Sequence, residues 1–120
     1  MATEALGPGD GLDSIAALAR VGGDADLLKE IARVFRDDCP RAVAELRDAA
    51  ARGDCVLVER AAHGLKGASS NFGAASVVSA ASHIEQMGRA GVLDGFTHAF
   101  HQLETALAAL LEQLEALIAS

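Results

Sequence analysis

From residue 13 onward, apolar residues return in steps of three and four, the spacing that gathers side chains on one face of an α-helix. A short first helix carries Ile15, Leu18 and Ala19, with Asp13 or Ser14 as its N-cap. Gly22 and Gly23 end it, and Asp24 opens a second helix. That helix presents Leu27, Leu28, Ile31, Val34 and Phe35, then Val43, Leu46 and Ala50. Pro40 interrupts the run, because it lacks an amide donor and its ring crowds the preceding turn. One kinked helix and two shorter ones both fit this pattern, and the kink is favoured. Gly53 closes the segment and Asp54 caps the next helix, where Leu57, Ala61, Leu65, Ala68 and Phe72 fall on one side. Gly73 marks its end.

Val77, Ala80, Ile84 and Met87 define a further helix, whose last turn is weakened by Gly88 and Gly91. Asp94 or Thr97 can start the last one. It holds the cleanest periodic run of the chain: Phe96, Phe100, Leu103, Leu107, Leu110, Leu114 and Leu117. No alternating strand pattern of useful length is present. Four substantial helices with short connections predict an all-α fold, an antiparallel up-and-down four-helix bundle preceded by a short extra N-terminal helix. Residues 1–12, with Gly7, Pro8, Gly9 and Gly11 and no period, are expected to be a flexible tail, leaving residues 13–118 as the one domain.

Composition agrees with this picture and narrows the function. Of 120 residues, 51% are hydrophobic and only 3% aromatic, with no Trp and no Tyr, so the core must be built from Ala, Leu, Val and Ile. A formal net charge of -7 argues against nucleic acid and against anionic membrane surfaces as partners. No apolar run approaches the roughly 20 residues of a membrane span, and the N-terminus lacks the pattern of a secretory signal. Cys39 and Cys55 match no zinc spacing and read as reduced thiols of a cytoplasmic protein. His98 and His101 share a helix face, but none of the 4 histidines has a glutamate three residues before it, as bundle di-metal sites require. No metal and no cofactor is expected.

The candidate chemistry centres on His63. At about 100° per residue, it falls opposite the apolar stripe of its helix, beside Glu59, Lys66, Gly67 and Ser70. An imidazole facing water is a competent nucleophile near neutral pH, since the ordinary pKa of histidine is about 6.5. Lys66, on the adjacent part of the same face, can meet a phosphoryl oxygen as a mobile positive charge. Gly67 removes a side chain where an incoming partner would sit, at a cost of about 1 kcal/mol in helix propensity relative to alanine. Val56 lands on the same face and suits a docking patch. Ser70 stands a further turn along and is placed to hydrogen-bond near the site. No P-loop and no GxGxxG sequence is present, so nothing holds ATP and no kinase activity of its own is expected.

The stretch Ala62-His63-Gly64-Leu65-Lys66-Gly67 with Gly73-Ala74, and the later block Ile84-Glu85-Gln86-Met87-Gly88-Arg89, resemble the histidine-containing phosphotransfer (HPt) domain of multistep phosphorelays. Phe35, Pro40, Leu46 and Asp54 also fall at familiar spacing, and the resemblance covers about residues 13–118. Gly64 and Ala68 stand where that family often has hydroxylated residues, and Phe72 where it often has leucine. The resemblance implies that His63 accepts a phosphoryl group from a receiver-domain aspartate, through Nε2, and passes it to the aspartate of another receiver. The partners implied are response-regulator receiver domains or a hybrid histidine kinase, with Mg²⁺ supplied by the receiver. Glu85 would position the imidazole or the adjoining helix. Arg89 would pair with Glu85 four residues earlier or touch the partner, although a plain surface ion pair between these two residues is equally compatible with the sequence. A monomer is expected. The competing classes are a histidine kinase fragment, disfavoured by Gly64 where an acidic residue usually follows the histidine, and a non-catalytic helical docking module.

Overall fold

The computed structural model describes residues 11–120. It contains five helices, α1 (Ser14–Arg20), α2 (Ala25–Ala51), α3 (Cys55–Ser70), α4 (Ala75–Ala90) and α5 (Phe96–Ala119), and no strand among the described residues. Helices α2 to α5 form the expected bundle: each packs on its neighbour in sequence, and α5 returns to α2 to close the ring. The short α1 packs on α2.

The helix starts are written largely in aspartates. Carboxylates of Asp13, Asp24 and Asp54 accept hydrogen bonds from the backbone amides of Ala16, Leu27 and Leu57, at 3.1, 3.0 and 3.1 Å. Each satisfies a donor that the first helical turn leaves free. The start of α5 departs from expectation. Neither Asp94 nor Thr97 caps it; the cap position is Gly95, at φ 80°, with no side-chain bond. Helix α2 runs unbroken through Pro40, because Phe35 and Cys39 before it and Leu46 and Ala49 after it are all buried in one core. Packing on both sides outweighs the local defect.

The core lies along the bundle axis. Helix α5 contributes Ala99, Phe100, Leu103, Leu107, Leu110 and Leu114, as its periodicity predicts. Two expectations fail in detail. On α3 the buried positions are Val58, Ala62, Leu65 and Ser69, continuing to Phe72, a stripe rotated from the predicted one; Leu57 is exposed. The helix is apolar at 57, 58, 61, 62, 65 and 68, so its own periodicity does not choose a face, and its position between α2 and α4 does. On α1, Ala17 is buried while Ile15 is 85% exposed. The tail expected over residues 1–12 lies outside the described residues except for Gly11 and Leu12, and these are packed. The Leu12 amide donates to Gln113 Oε1 on α5 at 2.7 Å, and Gly11 is buried against the same side chain. The next residue ties α1 to the bundle, its Asp13 amide donating to the Phe72 carbonyl at 2.9 Å.

Candidate functional site

Helices α3 and α4 pack closely and build the site between them. His63 projects from the outer face of α3 with 68% of its side chain exposed. Its Nδ1 lies 2.6 Å from Oε2 of Glu85 on α4. The other carboxylate oxygen, Oε1, accepts from Lys66 Nζ at 2.5 Å. Lys66 is 28% exposed, whereas Glu85 is only 5% exposed. A single buried carboxylate thus holds both the imidazole and the lysine one turn beyond it.

Charge settles the direction of the first bond. The Lys66 ammonium pulls the Glu85 carboxyl below the usual glutamate range; burial opposes this and the bond to His63 assists it. A carboxylate ionised at neutral pH only accepts, so Nδ1–H of His63 is the donor. In the neutral ring this leaves the lone pair on Nε2, the nitrogen turned away from Glu85. The cost of burying the Glu85 charge is met by these paired donors rather than by solvent.

Around this pair the remaining candidates divide. Arg89 donates through Nε to Glu59 Oε2 at 2.9 Å, and its Nη2 lies 3.5 Å from Glu85 Oε2. Its closer partner is therefore Glu59, whose hydrogen bond raises the Arg89 pKa; the pairing with Glu85 expected four residues earlier also forms, but onto a buried carboxylate rather than as a plain surface ion pair. Ser70 does not reach the site; its hydroxyl donates back to the Lys66 carbonyl at 2.8 Å. Gly67 is exposed, and a Cβ placed on it would meet nothing within 4 Å among the described residues; the same holds for Gly64. Both flanks of the imidazole are open. Val56 is exposed near the start of α3.

Beyond Gly64 lies an apolar groove between α2 and α3, of about 310 Å³, floored by Phe35, Cys39, Ala42, Leu65 and Phe72, with Val34 exposed at its rim. Sequence reasoning missed Gly88. It is buried, and a Cβ there would lie 2.6 Å from the Glu59 amide nitrogen and 2.8 Å from the Cys55 carbonyl oxygen. Rather than weakening a last turn, it lets α4 touch the backbone of α3. The signal was present, since Val77, Ala81, Ile84 and Gly88 form one stripe in steps of four and three. Among the described residues no cluster of His, Cys, Asp and Glu is arranged to hold a metal, and no helix is long and apolar enough to cross a membrane.

Comparison with known proteins also finds an all-helical bundle. The Hpt domain family matches residues 30–117, and the chain belongs to that family, whose members carry phosphoryl groups in phosphorelays rather than acting as kinases. Among solved structures, it is similar to histidine-containing phosphotransfer protein B (HptB) from Pseudomonas aeruginosa PAO1, with a TM-score of 0.81 at 24% identity, over 88% of this chain and 91% of that one. At that identity the likeness speaks for the fold. No curated protein matches the chain.

Proposed function

We propose that His63 is the phosphorylated residue, loaded by the aspartyl phosphate of one receiver domain and unloaded to the aspartate of another. The observation that carries this reading is the hydrogen bond from His63 Nδ1 to the buried Glu85, which presents an unencumbered Nε2 to solvent. In the forward step the Nε2 lone pair attacks phosphorus in line, and the bond from phosphorus to the aspartate oxygen breaks. The aspartate leaves as a carboxylate, and the ring takes on positive charge. Glu85, ionised and bonded to Nδ1–H, stabilises that charge as it develops. Lys66 lies next to the nucleophile and has further N–H donors for an equatorial phosphoryl oxygen while one is held by Glu85. Gly67 and Gly64 leave room for the receiver to approach. The divalent ion of the reaction is assigned to the receiver. The protein works as a cytoplasmic monomer, a state that sedimentation of the free chain tests.

The deciding experiment mixes the protein with ATP alone and, separately, with a radiolabelled phospho-receiver. No label from ATP and acid-labile label from the receiver are expected, and the label disappears in His63→Gln. Label from ATP would point to a kinase fragment, and no label from any receiver to a docking module. Label persisting in His63→Gln would overturn the assignment.

A further inference from the structure

Helices α3 and α4 touch backbone to backbone at Gly88, a point that carries no chemistry of its own. A methyl group at Gly88 would sit 2.6 Å from the Glu59 amide nitrogen, 2.8 Å from the Cys55 carbonyl oxygen and 3.0 Å from the Glu59 Cα. All three are backbone atoms, so no side-chain rotation makes room. On α4, Glu85 lies one turn before Gly88; on α3, His63 lies one turn after Glu59. The backbone contact and the bond from His63 to Glu85 are therefore successive rungs between the same two helices. Beside the contact, Arg89 bridges the helices by its bond to Glu59 and reaches the very oxygen of Glu85 that accepts from His63.

We propose that Gly88, with the Arg89–Glu59 strap beside it, is a positioning device for the phosphotransfer histidine: it fixes the spacing of α3 and α4 at which the Glu85 carboxylate reaches His63 Nδ1. Relaxing a Cβ at position 88 from 2.6 Å to the 3.4 Å of ordinary contact moves the helices apart by about 0.8 Å there. Carried one turn along, that opening stretches the 2.6 Å bond between His63 and Glu85 to the outer limit of a hydrogen bond. A loosened Nδ1–H lets the ring populate the other tautomer, in which Nε2 carries the proton and cannot attack. Where a histidine's reactive nitrogen depends on a hydrogen bond to the other, as in metal-ligating histidines, losing that partner lowers activity by about 10- to 100-fold.

This inference rests on the phosphotransfer reading, but its primary test does not. The tautomer of His63 is read by NMR of the imidazole nitrogens in the full chain, for wild type, Gly88→Ala and a control, Leu110→Val, which trims the core on α5 away from the site. Wild type and Leu110→Val should show the Nδ1–H form. Gly88→Ala should show a mixed population, with transfer from a phospho-receiver slowed by about tenfold. A folded Gly88→Ala protein with the wild-type tautomer and rate overturns the proposal, and so does an equal change in Leu110→Val, which would mark a general loss of packing. If Gly88→Ala does not fold, Glu59→Gln, which weakens the strap without adding bulk, is read in the same way. An unchanged tautomer and rate there also overturn the proposal. If no variant, wild type included, accepts phosphate, the functional reading fails while the tautomer result still stands.

Discussion

Replacing Glu85 by glutamine separates what the buried acid does for the fold from what it does for the histidine. The carboxylate accepts at two oxygens, from His63 at 2.6 Å and from Lys66 at 2.5 Å. An amide of the same shape has one accepting oxygen, and its NH₂ must face the other donor. If the amide oxygen keeps Lys66, the NH₂ donates to His63 Nδ1 and forces the proton onto Nε2. If it keeps His63, Lys66 loses its ion pair. For stability, charge-assisted bonds are worth about 1.5–3 kcal/mol and neutral ones about 0.5–1.5 kcal/mol, so two exchanges suggest a loss of about 2 kcal/mol. Two effects shrink it. His63 and Lys66 both reach water and resolvate, and a neutral amide removes the cost of a buried charge. The net loss should be about 1 kcal/mol or less. Transfer, in contrast, should slow by about 10- to 100-fold, or about 1.4–2.7 kcal/mol of barrier. Urea unfolding followed by circular dichroism gives the first quantity, and rapid-quench transfer from a labelled phospho-receiver gives the second. A Glu85→Gln protein that transfers within about twofold of wild type, well short of the loss expected when a histidine loses the group that orients it, would refute the assigned role of the carboxylate.

Three further outcomes follow from the same geometry. Ser69 is fully buried with no hydrogen-bond partner for its hydroxyl among the described residues; Ser69→Ala should stabilise the fold by about 1–2 kcal/mol, from relief of the unpaired group and better helix propensity, and a lowered unfolding midpoint would contradict this. Gly67→Leu should fold as well as wild type, because the position is open, yet block the approach of a receiver and cut transfer by at least about tenfold, against the alternative of an unaffected rate. The Glu85 carboxyl is depressed in the folded state, so its contribution to stability is present above the ordinary glutamate value of about 4.3 and is lost as pH falls through its lower folded value. The stability gap between wild type and Glu85→Gln should accordingly close on acidification below about pH 4, and a gap that widened there would reverse the sign.

Legibility in the sequence followed the range of the interactions. The capping aspartates act within three residues and were readable at Asp13, Asp24 and Asp54. The leucine run of α5 and the outward direction of His63 are single-helix properties, and both hold. What depended on a neighbouring helix was harder. Helix α3 has a broad apolar arc, so which part of it is buried was set by α2 and α4. For Glu85 the sequence left open a place at the imidazole and a surface ion pair with Arg89; its neighbours Ala81, Ile84 and Gly88 are all buried, which places it at the edge of the core, bonded to His63. Ser70 pointed the right way but spends its hydroxyl on its own helix.

The open flanks at Gly64 and Gly67 have a second consequence. Space that admits a receiver admits water equally well, and no side chain from either position shields the outer nitrogen of the imidazole. A phosphoryl group parked there would have no lid over it, so its lifetime would be that of an exposed phosphoramidate. Under the proposed function, signal is conserved only where the next receiver arrives before hydrolysis does.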